Sequence, residues 1–329
     1  MQEKIGIIGG GSWGTALGNL LASNGYYATL YAMESEVVEG INNRNINEIF
    51  LPDILLHEKL KAKKFDDFSG EENLYVWAVP TQYSRNLGEK INRHLDNKSI
   101  VIATKGIEIN TGELIIEILS EVLNSKLSII SGPSFAREVA EKKPTAVSIA
   151  SFDKNEAEKW QHFLSNKYFR CYTSDDVIGV EVGGALKNVI AVATGICDGL
   201  NLGHNARAGI ITRGLAEITR FGLALGGKLE TFMGLSGMGD LVLTCTGDLS
   251  RNRTVGLKIG RGEKLSDVLK DMKMVAEGVY TVKAVYNLAA KIDIEMPITN
   301  EVYEILYNDK DPLQSLTDLM NRPLKKEHT

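Results

Sequence analysis

The chain has 329 residues, of which 43% are hydrophobic and 24% charged, and its formal net charge at pH 7 is −5. This length predicts two globular domains, and the acidic balance disfavours a general nucleic-acid-binding protein. The three cysteines, Cys171, Cys197 and Cys245, are far apart and form no CxxC pair. The sequence therefore predicts neither a disulfide framework nor a metal site.

The N-terminal sequence MQEKIGIIGGG lacks the basic region and cleavage site of a signal peptide. We also expect no membrane span, on the ground that no apolar run approaches the length needed to cross a bilayer. Together with the cysteine usage, these features predict a cytoplasmic protein in a reducing compartment.

In the first half of the chain, short apolar runs alternate with helical segments. Strands are predicted at residues 4–10, 28–32, 73–79, 99–104, 127–131 and 145–150. Residues 111–123 have helical periodicity, and Thr111 is placed to cap that helix. Near-continuous apolar strands are typical of a parallel sheet covered on both faces. The pattern predicts an α/β fold with a doubly wound sheet and right-handed crossovers.

Beyond about residue 173 the pattern becomes helical. Residues 207–225, 277–292 and 298–307 have helical character, and we find neither strand alternation nor an internal repeat in this half. The change of pattern predicts a dinucleotide-binding domain at residues 1–175 and an all-helical domain at residues 176–329.

The first motif is a glycine-rich turn. GIIGGGSWGTAL places Gly9, Gly11 and Gly14 in a GxGxxG pattern directly after a predicted strand and at the start of a predicted helix. Glycines at this spacing permit a tight turn, close approach to a pyrophosphate and close helix–strand packing. Because the helix N-terminus then meets the anion, the turn predicts a dinucleotide cofactor, NAD or NADP.

Cofactor preference depends on the end of the second strand. A ribose-binding acid is expected about 20 residues beyond the turn, and LYAMES offers Glu34 near that point, preceded by Met33. No arginine stands nearby to receive a 2′-phosphate, which favours NAD over NADP. The alternative is that Glu34 is a solvated residue at a helix start.

Two further strand ends carry polar residues. IATKGIE places Lys105 where ligands bind in open α/β sheets, although a surface lysine in a loop has the same sequence appearance. SGPSFAREVA places Gly132 and Ser134 at a strand-to-helix turn, where Ser134 could simply cap the helix.

The stretch GLSGMGDLVLTCTGDLSRNR leads through three glycines to Asp240 and then to Ser250, Arg251 and Asn252. A hydroxyl, a guanidinium and an amide at a helix start form a plausible phosphate clamp. A polar turn with a helix cap is the alternative. Asp240 is placed either to bind a substrate hydroxyl or orient an amine, or merely to form a turn.

Lys187 is the one cation in the apolar, glycine-rich run VEVGGALKNVIAVATGI. Its neighbours one helical turn away include Gly183 and Gly184 but no acid, so no local salt bridge explains the charge. Either its stem covers apolar surface while the ammonium reaches water, or the amine is desolvated with a lowered pKa.

Together these stretches resemble the bacterial-type NAD(P)-dependent glycerol-3-phosphate dehydrogenases. The matching segments follow the family's order from residue 5 to about residue 280: GGGSWGTAL, WAVPTQ, TKGIE, SGPSFAREVA, ALKNVIAVATG, NARAGIITRGLAEI, GLSGMGDLVLTCTGDLSRN and VAEGV. The resemblance implies a Rossmann domain followed by a helical domain like that of the 6-phosphogluconate dehydrogenases. It also implies reversible reduction of dihydroxyacetone phosphate to sn-glycerol 3-phosphate, the precursor of the phospholipid backbone.

The resemblance further implies roles for single residues. Lys187 would be the catalytic acid/base, with Asp240 as its catalytic partner. The glycines beside Lys187 would let substrate and cofactor come close to it. The substrate would be surrounded by Lys105, Gly132, Ser134, Asp240, Ser250, Arg251 and Asn252. The cofactor would contact Ser12, Trp13, Lys105, Ala136, Arg251, Val275 and Glu277 in addition to the glycine-rich turn. A homodimer is expected by analogy alone.

One departure from the family concerns the cofactor, because Met33 stands where the family usually has Arg or His. Thr81 and Gly209 are milder changes. Two rival hypotheses remain: a related dehydrogenase that acts on another hydroxy acid or an acyl thioester, and a non-catalytic dinucleotide sensor.

Overall fold

The computed structural model describes residues 3–270, 272, 275–324 and 326–327. Within these residues, one sheet contains all the strands: β1 Lys4–Ile8, β2 Tyr27–Ala32, β3 Leu60–Lys64, β4 Leu74–Trp77, β5 Ser99–Ile102, β6 Lys126–Ser131, β7 Thr145–Ala150 and β8 Phe169–Ser174. The helices of this half are α1 Ser12–Ser23, α2 Ser35–Arg44, α3 Thr81–Ile91, α4 Ile115–Val122, α5 Ala136–Ala140 and α6 Lys154–Leu164. The sheet thus alternates with helices, as the sequence predicts.

The strand order is β3-β2-β1-β4-β5-β6-β7-β8, and every pairing is parallel except that of β6 with β7. The reversal between β1 and β4 places the carboxyl end of β1, and the glycine-rich turn after it, at the switch point where open α/β sheets bind ligands. The expectation of a doubly wound sheet is therefore confirmed.

The antiparallel β7 differs from the parallel arrangement predicted for all strands. The connection from β6 to β7 contains only the five-residue helix α5, which spans about 7.5 Å. A six-residue strand is about 20 Å long, so this helix is too short to return the chain to the opposite edge of the sheet. The chain instead re-enters the sheet in the reverse direction.

Strands β3 and β8 were not predicted from the sequence. The sequence of β3 is LKAKK and that of β8 is FRCYTS, and both mix exposed polar with buried apolar residues. They are the two edge strands of the sheet. An edge strand is only partly covered, so it lacks the continuous apolar run that marks the inner strands.

The prediction that Thr111 caps a helix is wrong. Helix α4 begins at Ile115, and the Thr111 hydroxyl donates a hydrogen bond to Glu108 at 2.7 Å in the preceding turn. At the helix start, Glu117 Oε2 accepts a hydrogen bond from the Leu114 backbone N–H at 2.8 Å. Carboxylates, and not a hydroxyl, therefore satisfy the first amides of α4.

The second half is helical in the described residues. It comprises α7 Val177–Gly199, α8 Gly203–Ala224, α9 Leu229–Phe232, α10 Asp240–Thr246, α11 Arg251–Gly260, α12 Leu265–Lys270, α13 Glu277–Lys291, α14 Pro297–Tyr307 and α15 Pro312–Met320. A short π-helix, Leu235–Gly239, leads directly into α10. The central helix α7 packs against α8, α10, α11 and α13.

Helix α7 is long and apolar enough to cross a membrane by length and composition, which corrects the expectation that no run approaches that length. It has 23 residues, and a window within it has a mean hydropathy of 1.5 and is 94% buried inside the protein. Those properties are typical of the core helix of a folded domain, where an all-round apolar helix is surrounded by other elements.

One apolar core extends through both halves. It joins Trp77 and Ile102 of the sheet to Val180 and Leu186 of α7. A second core on the opposite face of the sheet includes Leu17 of α1 and Trp160 of α6. The last strand ends at Ser174 and α7 begins at Val177, while the division into domains at 175/176 stays a prediction.

Candidate active site

The glycine-rich turn connects β1 to α1. Gly9 has a φ of 120°, and a Cβ there would lie 2.5 Å from the carbonyl oxygen of Ala78. A Cβ on Gly14 would lie 2.1 Å from the carbonyl oxygen of Gly9, whereas one on Gly11 would meet nothing within 4 Å. Gly9 and Gly14 are therefore required by the turn itself, and Gly11 borders open space.

This open space leaves room for an anion at the start of α1. Gly11 is the N-cap of α1 and supplies no side-chain cap, so the first amides of the helix are available to an anion. Beside the turn, the Ser12 hydroxyl donates to the Phe50 carbonyl at 2.6 Å. Trp13 packs against the core behind the turn, with its indole N–H buried and without a hydrogen-bond partner.

Asn47, which was not predicted from the sequence, holds this turn from outside. Its side chain is fully buried, and its Nδ2 donates to the Gly10 carbonyl at 3.0 Å and to the Thr15 hydroxyl at 2.8 Å. A buried amide that fixes a turn through backbone contacts stiffens the anion site. No local pattern marks Asn47, because it lies far from the turn in sequence.

The end of β2 is exposed. Met33 has 74% of its surface accessible, and Glu34 precedes α2 in an extended conformation without making a side-chain capping hydrogen bond. The Glu34 carboxylate is thus not used to cap its own helix.

Lys187 is buried, with only 7% of its surface accessible, so the interpretation in which its ammonium reaches water is wrong. Its Nζ donates to Oδ1 of Asp240, which is also fully buried. Lys105 Nζ donates to the other oxygen, Oδ2, at 2.8 Å, and to the Gly132 carbonyl at 3.4 Å. One carboxylate therefore joins two ammonium groups that are 82 residues apart in the chain.

The surroundings lower the pKa of Lys187 to about 7. Burial is the main cause, since it disfavours the charged amine, and the neighbouring Lys105 acts in the same direction. Asp240 opposes both by favouring the ammonium. An amine with a pKa near neutrality can donate or accept a proton at physiological pH.

The glycines before Lys187 accommodate protein atoms, and this corrects the expectation that they give access to substrate and cofactor. A Cβ on Gly183 would lie 2.5 Å from the Ser236 carbonyl oxygen, and one on Gly184 would lie 2.5 Å from the Ser131 hydroxyl. Gly183 thus admits the π-helix that carries Asp240 toward Lys187. Irregular helical turns of this kind are frequent at functional sites.

The Gly132 turn lies beside Lys105. Gly132 has a φ of 140°, and a Cβ there would lie 2.9 Å from Cα of Val147. The Ser134 hydroxyl donates to the Gly132 carbonyl at 2.9 Å, and Phe135 is the N-cap residue of α5. The alternative in which Ser134 caps that helix is therefore wrong.

The Ser250–Asn252 segment opens α11. The Ser250 hydroxyl caps this helix by accepting the Arg253 N–H at 3.3 Å. Asn252 Nδ2 donates to Asn188 Oδ1 at 2.9 Å, and its Oδ1 accepts the Gly278 N–H at 3.0 Å.

Arg251 is exposed to solvent at the start of α11. The surrounding protein atoms still lower the pKa of its guanidinium by desolvation, and the nearby Glu277 carboxylate partly opposes this. Of the three predicted clamp residues, Arg251 is thus free of the structural hydrogen bonds that engage the Ser250 and Asn252 side chains.

Glu277 is the first residue of α13 and faces the sheet half. Its Oε1 accepts the Thr81 N–H at 3.2 Å, while its Oε2 is buried without a hydrogen-bond partner. Burial raises the pKa of Glu277 to about 7, against the opposing effects of the Thr81 amide and Arg251. A buried unpartnered oxygen near Arg251 is suited to a ligand group. Val275 precedes α13 and Ala136 begins α5, and their cofactor contacts stay predictions.

Asn188 is the main side chain of the site that was not predicted from the sequence. It follows Lys187 directly, is 6% exposed and accepts the hydrogen bond from Asn252. It thereby links the lysine–aspartate centre to the start of α11. A second polar residue in the apolar run ALKNVIAVA was the signal that could have revealed it.

The described residues contain no group of three or more His, Cys, Asp or Glu side chains that could hold a metal ion. The three cysteines are buried and free, and burial raises the pKa of Cys171 and of Cys245 to about 12. These thiols are therefore poorly suited to act as nucleophiles.

The structure combines a sheet of dinucleotide-binding topology with a helical half that carries a buried lysine–aspartate centre. Two models of the NAD-dependent glycerol-3-phosphate dehydrogenase family match the chain. The N-terminal model matches residues 4–157, and the C-terminal model matches residues 176–317.

Two curated relatives are named glycerol-3-phosphate dehydrogenase [NAD(P)+]. The protein of Syntrophotalea carbinolica is 50% identical over 98% of this chain and 99% of its own length, and that of Geobacter sulfurreducens is 50% identical over 99% of both. A crystal structure of glycerol-3-phosphate dehydrogenase from Coxiella burnetii has a TM-score of 0.93 at 40% identity, covering 98% of this chain and 99% of that one. The chain belongs to the NAD-dependent glycerol-3-phosphate dehydrogenase family, as its motifs predicted.

Proposed function

We propose that this protein catalyses the reversible NAD(P)H-dependent reduction of dihydroxyacetone phosphate to sn-glycerol 3-phosphate. The observation that carries the proposal is the buried Lys187–Asp240–Lys105 centre, in which Lys105 follows β5 at the same edge of the sheet as the glycine-rich turn after β1. The names of the close relatives give the substrate. In the cell the product would supply the backbone of glycerophospholipids, and we place the enzyme in the cytoplasm.

Lys187 is the general acid in reduction. Its ammonium donates a proton to the C2 oxygen of the substrate, on which negative charge develops. A nicotinamide dinucleotide held at the glycine-rich turn would supply the hydride. In the reverse direction the neutral amine accepts the proton of the C2 hydroxyl. The lowered pKa of about 7 keeps both forms accessible near neutral pH.

Asp240 and Lys105 hold this proton donor in place. Asp240 fixes the Lys187 ammonium through Oδ1 and is itself fixed by Lys105 through Oδ2. The ammonium of Lys105 adds positive charge near the developing oxyanion, which stabilises it in a buried site. Gly132 and Ser134 border the substrate on the side of Lys105.

Arg251 is the principal phosphate ligand. Its guanidinium is accessible at the start of α11, where the helix N-terminus also favours an anion. Ser250 and Asn252 shape this end of the site through the helix cap and the contact with Asn188. Fixing the phosphate places C2 of the substrate relative to Lys187.

The cofactor would be held by the turn and by residues of both halves. These residues are Gly9, Gly11, Ser12, Trp13, Gly14, Lys105, Ala136, Arg251, Val275 and Glu277. The open space at Gly11 and the unpartnered Oε2 of Glu277 support this assignment.

NAD is the preferred cofactor in this proposal. Met33 supplies no charge for a 2′-phosphate, and the Glu34 carboxylate would accept hydrogen bonds from a ribose and repel a phosphate. A Met33→Arg substitution is expected to improve kcat/KM for NADPH relative to NADH by about tenfold, or about 1.4 kcal/mol. Steady-state rates with both cofactors check this, and a wild-type preference for NADPH would contradict it.

The proposal is tested by adding dihydroxyacetone phosphate to the purified protein and following the absorbance of NADH, and separately of NADPH. Rapid oxidation of either cofactor is expected. Turnover with a keto acid or with an acyl thioester, but not with dihydroxyacetone phosphate, would favour a related dehydrogenase. Tight NADH binding without turnover of any of these compounds would favour the sensor hypothesis.

A further inference from the structure

Glu181 is a buried carboxylate on α7, six residues before Lys187, which the proposed mechanism does not use. It is 2% exposed, and its Oε1 accepts the backbone N–H of Ile116 at 3.1 Å. Ile116 lies in the first turn of α4, in the sheet half of the molecule. Glu181 thus joins the helix that carries Lys187 to the half that would hold the cofactor.

This contact is energetically expensive. Burial raises the pKa of Glu181 to about 8, and Glu117 acts in the same direction, although the amides of Ile116 and Ile115 oppose the shift. The second carboxylate oxygen, Oε2, is buried and has no hydrogen-bond partner. A hydroxyl or carboxylate at the N-cap position of α4 would satisfy the same amides at lower cost. The desolvation of the Glu181 carboxylate therefore needs an explanation other than helix capping.

The geometry relates this contact to the proton donor. Six helical residues separate Glu181 from Lys187 by about 9 Å along the axis and turn the two side chains to different faces of α7. One face meets the amides of α4, and the other meets Asp240, which pairs with Lys105. Helix α7 is therefore attached to the sheet half at both points.

We propose that Glu181 is a positioning residue, whose bond to the start of α4 sets the placement of α7 and hence of Lys187 relative to the cofactor half. This role rests on the proposed function of Lys187. It predicts that the length of the side chain at position 181 matters as well as its ability to accept a hydrogen bond.

Glu217 provides a matched control. It is also a glutamate on a long helix, is 3% exposed and has a pKa raised to about 7 by burial. Its carboxylate accepts the backbone N–H groups of Ile298 at 2.6 Å and Thr299 at 3.2 Å. Helix α8, which carries Glu217, and helix α14, which Glu217 contacts, both belong to the helical half. Loss of the Glu217 carboxylate therefore leaves the position of α7 against the sheet unchanged.

The experiment compares Glu181→Asp and Glu181→Gln with Glu217→Asp and Glu217→Gln in the full-length protein. Aspartate keeps the carboxyl group but shortens its reach by one carbon–carbon bond, about 1.5 Å. Because misplacement of about 1 Å can be costly to catalysis, kcat is expected to fall about tenfold or more in Glu181→Asp and about threefold in Glu181→Gln. Both Glu217 variants are expected to stay within about twofold of wild type, whatever their loss in Tm.

A second readout is independent of turnover. The pH midpoint of Lys187, followed by NMR of ¹³Cε-labelled lysine, is expected to move by about half a pH unit or more in Glu181→Asp and to stay unchanged in Glu217→Asp. If wild type does not turn over, the proposed function fails, while this titration still decides the role of Glu181.

An unmoved midpoint together with a wild-type kcat in Glu181→Asp would overturn the proposal. Should that variant fail to fold, Glu181→Gln decides: a kcat within about twofold of that of Glu217→Gln would overturn the proposal, and a larger loss would support it.

Discussion

The glycine-rich turn and the lysine–aspartate centre solve opposite problems. The turn favours an anion by leaving side chains out, so that backbone amides and open space remain at Gly11. The centre instead places three charged side chains where water is largely excluded. Binding a pyrophosphate needs room and dipoles, whereas moving a proton needs an amine whose pKa is set by burial.

The two regions also differ in how they respond to change. The turn is sensitive to added atoms, because a Cβ on Gly9 or on Gly14 would lie within 3 Å of a backbone oxygen. The centre is sensitive to removed charge, because each of its groups is balanced by another in a buried setting. Substitutions that add atoms therefore test the turn, and substitutions that remove charge test the lysine–aspartate centre.

The largest effect is expected for Lys187→Met. It removes the proton donor at nearly constant volume, so kcat is expected to fall by about 10²–10⁴-fold. NADH binding, measured by fluorescence titration, is expected to change little. Lys154→Met serves as the control, because the Lys154 side chain is 85% exposed in the wild-type protein. A Lys187→Met variant with near-wild-type kcat would exclude Lys187 as the acid.

Asp240→Asn is expected to lower the rate of reduction at pH 7 by about 10²-fold. Reduction needs the ammonium, so in wild type the rate falls as pH rises through the Lys187 pKa of about 7. Because Asp240 raises that pKa, its loss should move the fall in rate to lower pH, with partial recovery in acid.

The pH–rate profile is the measurement for this variant. The control is Asp248→Asn, which changes a side chain that is 97% exposed. A midpoint that moves to higher pH in Asp240→Asn would contradict the assigned role, since removal of a neighbouring carboxylate lowers the pKa of an amine.

The smallest effects are expected in the turn, from a pair of alanine substitutions. Gly14→Ala should destabilise the protein by about 1–3 kcal/mol, since its Cβ would clash with the Gly9 carbonyl. Gly11→Ala should leave Tm unchanged and weaken NADH binding by about tenfold, because its Cβ would point into the space assigned to the pyrophosphate. Thermal unfolding and NADH titration of both variants distinguish them, and equal losses of Tm would contradict this interpretation.

The same contrast explains what could be predicted from the sequence. The turn is contiguous, so its glycine spacing alone indicated its position between a strand and a helix. Lys105, Lys187 and Asp240 are far apart in the chain, and no local pattern pairs them. Resemblance to a family grouped them, and the structure showed that the Asp240 carboxylate bridges the two amines.

Elements that depend on tertiary surroundings were harder to predict. Strands β3 and β8 were missed because edge strands are half polar, and the reversed β7 could not be predicted from an apolar run that fits either direction. Asn47 and Asn188 were missed because each acts through a distant partner. The role expected of Gly183 was wrong because its close neighbour is the π-helix, which no periodicity predicts.

Helix α7 has a consequence for how the chain is made. Its 23 residues are covered on all sides in the finished protein, but α8, α10, α11 and α13, which cover much of it, follow it in the chain. During synthesis from the N-terminus, this helix therefore emerges before its cover exists. A nascent chain halted near Gly199 would present a long apolar helix to chaperones or to other chains. The protein must complete its C-terminal helices before the helix that carries Lys187 is sheltered from misassembly.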